Sequence, residues 1–268
     1  MNRLDETFKE LRKKGRAALI PFLTAGDPDI PTTRRLMSAV VDSGADILEI
    51  GVPFSDPIAD GPVLQGSIEA ALRAGSSLPR VLEMIADFRS AANTPIILYG
   101  YYNPIFRYGP ERFANDARQA GVDAVQIVDL PPEEVDEMYP FVRSAGLHFV
   151  FLLTPTSGPD RIKKVLRKAS GFLYYVSLTG VTGSTAISVD SVREAVARLR
   201  EHTKLPIGVG FGIAKPEQAA AVSQFADAAV VGSAVMRIVD ESRGNDRLVE
   251  NVSVFIRSLK ASMRDGQP

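Results

Sequence analysis

The chain has 268 residues, 45% hydrophobic and 24% charged, and its 31 Lys+Arg against 32 Asp+Glu leave a formal net charge of −1, which argues against non-specific nucleic-acid binding and electrostatic membrane attachment. No apolar run approaches the ~20 residues of a membrane span, and the charged segment Met1–Arg16 lacks a signal-peptide apolar stretch, so a cytoplasmic location is expected. Cysteine is absent and His148 and His202 are the only histidines, which argues against disulfides, thiolate catalysis, a metal site and a Ser-His-Asp triad.

The chain opens with an amphipathic helical pattern carrying Leu4, Phe8 and Leu11. Eight short apolar runs follow: Ala18–Thr24, Ile47–Val52, Ile96–Tyr101, Ala124–Asp129, His148–Thr154, Phe172–Ser177, Pro206–Gly210 and Ala228–Gly232. Most are continuously apolar rather than alternating, as expected of parallel strands covered on both faces. Segments of helical period lie between them. The spacing predicts helices over Arg34–Ser43, Leu78–Ser90, Glu111–Ala120 and Glu133–Ala145, with Gly44, Gly121 and Gly146 as stops. Pro79, Pro159 and Pro216 stand where first helical turns should begin. The pattern predicts an α/β fold, a closed (β/α)8 TIM barrel in one domain over residues 1–268, with an extra N-terminal helix. An open doubly wound sheet is the competing architecture. The excess length between the second and third strands falls in Gly51–Gly75 and is read as a lid.

A barrel keeps its active site at the C-terminal ends of its strands. There, Glu49 interrupts the apolar run Ile47-Leu48-Glu49-Ile50-Gly51. A carboxylate in such a strand is costly unless paired, protonated or working. It is therefore either a general acid/base at the barrel mouth or a group satisfied by a buried partner. The lid Gly51–Pro62 carries three prolines, Pro53, Pro57 and Pro62, and two carboxylates, Asp56 and Asp60. Asp56 is read as a turn former. Asp60 is either a turn or N-cap residue or the second member of a carboxylate pair with Glu49. Glycine clusters follow the last three strands: Gly180-Val181-Thr182-Gly183, Gly208-Val209-Gly210-Phe211-Gly212 and Gly232-Ser233. Together they suit a phosphate held by backbone N–H groups, and the second lacks the dinucleotide spacing. Phe22, the Tyr99-Gly100-Tyr101-Tyr102 cluster and Tyr174-Tyr175 either wall a flat aromatic ligand or fill the core. His148 and His202 are read as structural or solvated.

The segments Pro21–Pro28, Leu48–Pro62, Tyr101–Pro104, Asp129–Pro131, Gly180–Gly183, Gly210–Ile213 and Gly232–Ala234 resemble the tryptophan synthase α-chain family over essentially the whole chain. The resemblance implies a lyase of tryptophan biosynthesis that cleaves indole-3-glycerol phosphate to indole and glyceraldehyde 3-phosphate. It implies that Glu49 shuttles protons at the glycerol hydroxyl and indole C3, and that Asp60 holds the indole N–H. It places Gly183, Gly212, Gly232 and Ser233 at the phosphate, and Phe22, Tyr101, Tyr174 and Thr182 in the substrate pocket. It implies no cofactor in this chain, with pyridoxal phosphate in a β-chain partner that receives indole within an α2β2 assembly. Partner contacts are expected around Pro53, Asp56 and Phe106, beside Phe54, Pro104 and Ile105. A partner-independent indole lyase and a non-catalytic phosphate-binding barrel are the alternatives.

Overall fold

The computed structural model describes residues 2–176, 189–210 and 212–265. Its strands are β1 (Ala18–Thr24), β2 (Leu48–Gly51), β3 (Ile96–Gly100), β4 (Ala124–Ile127), β5 (His148–Phe149), β6 (Phe151–Leu153), β7 (Leu173–Val176), β8 (Ile207–Gly210) and β9 (Ala228–Val231). They bond in the order β5-β4-β3-β2-β1-β9-β8-β7-β6, with parallel pairing throughout. The two ends of that order, β5 and β6, are separated in the chain only by Val150, whose N–H donates to Val125 O at 2.9 Å. The sheet therefore curls round to meet itself through one segment, a nearly closed barrel rather than an open sheet. The run His148–Thr154, expected as one strand, is two short ones. It crosses the seam, bonding β4 with its first half and β7 with its second.

Two apolar layers follow from strand alternation. Ala18, Ile20, Ile47, Ile97, Ala124, Val150, Phe172, Ala228 and Val230 point inward and pack together. Leu4 and Phe8 of α1 (Arg3–Lys13) join this cluster, so the amphipathic leading helix plugs the N-terminal end of the barrel. The intervening strand residues, such as Leu19, Leu23, Leu48 and Ile50, pack outward against the helix layer. Each of these fully buried side chains contributes about 1.5–3 kcal/mol relative to exposure.

The helices arise as their punctuation dictates, with two differences from expectation. Gly44 and Gly121 end α2 (Ile30–Asp42) and α6 (Pro110–Ala120) with φ of 108° and 94°. Pro79, Pro159 and Pro216 open α4 (Leu78–Arg89), α8 (Pro159–Leu166) and α10 (Pro216–Ser223). Helix α2 begins four residues before Arg34, because Asp29 caps it, accepting from Thr32 N–H at 2.6 Å. The expected helix Glu133–Ala145 is instead a 3₁₀ turn (Val135–Glu137) followed by a short α7 (Tyr139–Ser144). Pro140 lacks an N–H and fits only a first turn, so the helix has to restart there. The long segment after β2 is a shaped loop over residues 52–61 and then α3 (Pro62–Arg73). Among the described residues no helix is long and apolar enough to cross a membrane.

Candidate active site

Glu49 lies one inward step above Ile47 on β2, in register with Phe22 on β1 and Ile97 on β3. It is 2% exposed, and its Oε1 has no hydrogen-bond partner. Burial first, and then the charge of Asp60, push its carboxyl up to about 8 from the ordinary 4.5. A carboxyl raised in this way by burial and a neighbouring negative charge keeps its proton at neutral pH. Among the described residues, Oε1 shows no sign of the buried partner that the structural reading of Glu49 requires.

Asp60 is brought to Glu49 by the loop after β2. The loop folds on itself through Ile58 N–H to Asp56 O at 2.9 Å and Asp60 N–H to Pro57 O at 3.1 Å. The Asp60 carboxylate then receives two phenols, Tyr99 on Oδ1 and Tyr101 on Oδ2, each at 2.7 Å. The Tyr101 hydroxyl also accepts from Ala59 N–H at 3.1 Å, which ties the loop backbone to the barrel wall. Burial raises the Asp60 carboxyl above its usual range, and the two phenolic hydrogen bonds oppose that rise. Gly61, not Asp60, caps α3, so the N-cap alternative for Asp60 fails. Asp56 is exposed and takes a hydrogen bond from Ser55 Oγ at 2.5 Å.

Aromatic rings wall the space around this pair. Phe22 stands edge-on to Tyr99 with centroids 5.3 Å apart, and Phe54 lies 5.3 Å from Tyr101. Glycines leave room for the rings: a Cβ at Gly51 would sit 2.5 Å from Phe22 Cζ, and one at Gly210 would sit 2.6 Å from Tyr174 Oη. Burial and the charges of Glu49 and Asp60 raise the Tyr174 phenol well above its ordinary value, so it is a neutral donor facing both carboxylates. Gln126 on β4, in register with Tyr99, is 1% exposed, and its Oε1 has no partner.

On the opposite side, β8 and β9 are neighbours. Gly232 precedes α11 (Ser233–Glu241), whose first turn has no side-chain cap among the described residues, an arrangement suited to meeting an anion. Gly212 is exposed just beyond β8 with φ of 74°. Thr182 and Gly183 lie outside the described residues. Among the described residues no group of three or more His, Cys, Asp or Glu has metal-holding geometry.

The flank of the mouth carries exposed apolar groups. Phe106 on α5 (Tyr102–Tyr108) is 59% exposed and Ile58 in the lid is 85% exposed. A hollow of about 690 Å³ beside Phe106 is lined by Tyr102, Asn103, Asp129, Leu130 and Glu133. Pro53 and Ile105 are buried, so they shape this face from beneath. Tyr99 is the residue that sequence reasoning left as a generic ring. The signal was available: it lies two positions before Tyr101 and therefore on the same inward face. His148 sits at the other end of the barrel, 3.0 Å from Asp5 Oδ2, away from this chemistry.

Comparison with known proteins agrees with this geometry. The family model described as tryptophan synthase alpha chain matches residues 8–264. A tryptophan synthase alpha chain of Geotalea uraniireducens (strain Rf4) is 50% identical over 264 residues, 98% of each chain. That of Geobacter sp. (strain M21) is 48% identical over 266 residues, 99% of each chain. The crystal structure of tryptophan synthase subunit alpha from Legionella pneumophila str. Paris superposes with a TM-score of 0.93 at 38% identity, covering 99% of both chains. A chain in the aminoacrylate-bound tryptophan synthase of M. tuberculosis superposes with a TM-score of 0.88 at 33% identity, covering 98% of this chain and 100% of that one.

Proposed function

The chain belongs to the tryptophan synthase alpha chain family, and we propose that Glu49 and Asp60 perform its reaction, the retro-aldol cleavage of indole-3-glycerol phosphate to indole and glyceraldehyde 3-phosphate. The observation that carries this assignment is the contrast between the two carboxyls. Glu49 is buried, its Oε1 has no donor among the described residues, and its carboxyl is pushed up to about 8, whereas Asp60 is gripped by two phenols that favour its ionised form.

The proton balance then closes without a metal or organic cofactor. Protonated Glu49 gives its proton to indole C3, while Asp60 takes the N1 proton, leaving an indolenine. Glu49, now a carboxylate, removes the proton of the side-chain hydroxyl on the carbon attached to C3. That carbon becomes the aldehyde, the bond to C3 breaks, and its electron pair returns through the ring to N1. Asp60 returns the proton to N1, so both carboxyls end as they began. Phe22, Tyr101, Tyr174 and Thr182 would enclose the ring and side chain. Gly183, Gly212, Gly232 and Ser233 would hold the phosphate by backbone N–H groups, Gly232 and Ser233 from the start of α11.

An alpha chain implies a complex with a partner. The reading assigns that partner as the β chain of an α2β2 assembly in the cytoplasm, with pyridoxal phosphate on the β chain. Residues 1–268 are taken as one barrel domain. The exposed face around Asp56, Ile58 and Phe106, underlain by Pro53, is the proposed docking surface. The test is an assay of indole release from indole-3-glycerol phosphate, alone and with a tryptophan synthase β chain. Release that rises on complex formation supports the reading. No release in either condition would sink it, and full release unaffected by the partner would favour a free-standing lyase.

A further inference from the structure

We propose that Tyr99 is a positioning residue that fixes the plane of the Asp60 carboxylate for the indole N–H; this rests on the reading of Asp60 given above. Asp60 sits on a loop, and among the described residues its backbone is held only locally, by Asp60 N–H to Pro57 O and by Gln65 Nε2 to Asp60 O at 2.8 Å. The orientation of its side chain therefore depends on what binds the two oxygens. Tyr101 holds Oδ2, but its hydroxyl is shared with Ala59 N–H. Tyr99 holds Oδ1, and among the described residues its hydroxyl has no other partner.

The Tyr99 ring is itself fixed. It projects from β3 on the inward face shared with Ile97, in register with Gly51 on one side and Gln126 on the other. Its face or edge is braced by Phe22 at 5.3 Å and 85°. The missing Cβ at Gly51 is what lets Phe22 take that place. A rigid strand residue thus locates an atom of a loop residue. A carboxylate offers about four lone-pair sites, so one phenol on each oxygen leaves sites free for a ligand while preventing rotation.

The charged and titratable groups around Asp60 come from three strands. Tyr99 on β3 and Tyr101 just after it donate to the carboxylate. Its charge in turn acts through space on Glu49 from β2 and Tyr174 from β7. Of these, only the two phenols favour the anion that accepts an N–H; Tyr99 supplies one of the two.

Tyr99→Phe keeps the ring and removes the hydroxyl. In the α chain assayed with its partner, kcat is expected to fall about tenfold with KM little changed. The acid limb of the kcat/KM profile is expected to move up by about one pH unit, the size of one hydrogen bond to a charged group. A thermal melt near that of the wild type shows that the wall is intact. Asp60→Asn is measured in parallel. If Asp60→Asn is impaired but Tyr99→Phe keeps the wild-type kcat and acid limb, the positioning role is overturned while the reading of Asp60 stands. A Tyr99→Phe defect confined to KM, with the acid limb unmoved, also overturns it and makes Tyr99 a plain pocket wall. If Asp60→Asn turns over like the wild type, both fall.

Discussion

Arg243 grips Asp27 through two parallel hydrogen bonds, Nε to Oδ1 at 3.1 Å and Nη2 to Oδ2 at 3.0 Å, between segments 216 positions apart. Asp27 is buried just beyond β1, and Ser67 of α3 adds a third hydrogen bond to it at 2.6 Å. One carboxylate thus ties the end of β1, the helix that follows the lid, and the segment after α11. Removing the fork leaves a buried charge with a single hydroxyl. Arg243→Ala is expected to cost about 3 kcal/mol in urea unfolding. Arg243→Lys should recover only part of this, since an ammonium cannot match the planar fork. An Arg243→Ala midpoint equal to the wild type would show that the tie contributes nothing.

Glu49 makes stability depend on pH. Its carboxyl titrates near 8 in the folded chain against 4.5 when solvated. Below 4.5 both states hold the proton and the full contribution is present. As pH rises from there, the unfolded chain ionises first, so stability is lost progressively until about 8. Glu49→Gln cannot ionise. Its stability relative to wild type should therefore increase between pH 4.5 and 8 and level off above. Denaturation curves at pH 5, 7 and 9 check this; a constant difference across the three would contradict a protonated Glu49.

Gly210 is expected to matter for the pocket more than for the fold. An added Cβ would lie 2.6 Å from Tyr174 Oη and 3.0 Å from its Cε1, so the ring must move. A displacement of about 1 Å at a positioned group costs on the order of a hundredfold in turnover. Gly210→Ala should thus lower kcat/KM for indole release about that much while the far-UV spectrum is retained. Unchanged kcat/KM would mean that Tyr174 does not wall the substrate.

How much of this was legible beforehand varied with how local the cause was. The first strand matched its apolar run residue for residue, because a covered parallel strand must be apolar on both faces. Glu49 stood out for the same reason, as a charge flanked on both sides by apolar residues within such a run. The helix over Glu133–Ala145 misled because the apolar period continued while Pro140 broke the backbone. The partnership of Tyr99 with Asp60 joins residues 39 positions apart, and it depends on how the loop after β2 folds. Strand alternation pointed Tyr99 inward, but nothing local said which carboxylate would meet it.

Phe106 tests the partner surface. It is 59% exposed on α5, and an aromatic anchor of this kind contributes about 2 kcal/mol to a protein interface. Phe106→Asp should weaken association with a β chain about thirtyfold. The thermal midpoint of the isolated α chain should stay within a degree or so, since surface substitutions shift stability little. Titration calorimetry reads this directly; wild-type affinity would remove α5 from the docking face.

The division of labour between Glu49 and Asp60 is tested most directly by indole release from indole-3-glycerol phosphate in Glu49→Gln and Asp60→Asn. Each variant is to be assayed in complex with a β chain and shown by near-ultraviolet dichroism to be folded. Each substitution removes a proton-transfer group at almost constant shape, so each is expected to lower kcat by at least about a hundredfold. Near-wild-type turnover by either folded variant would contradict the role given to that carboxyl.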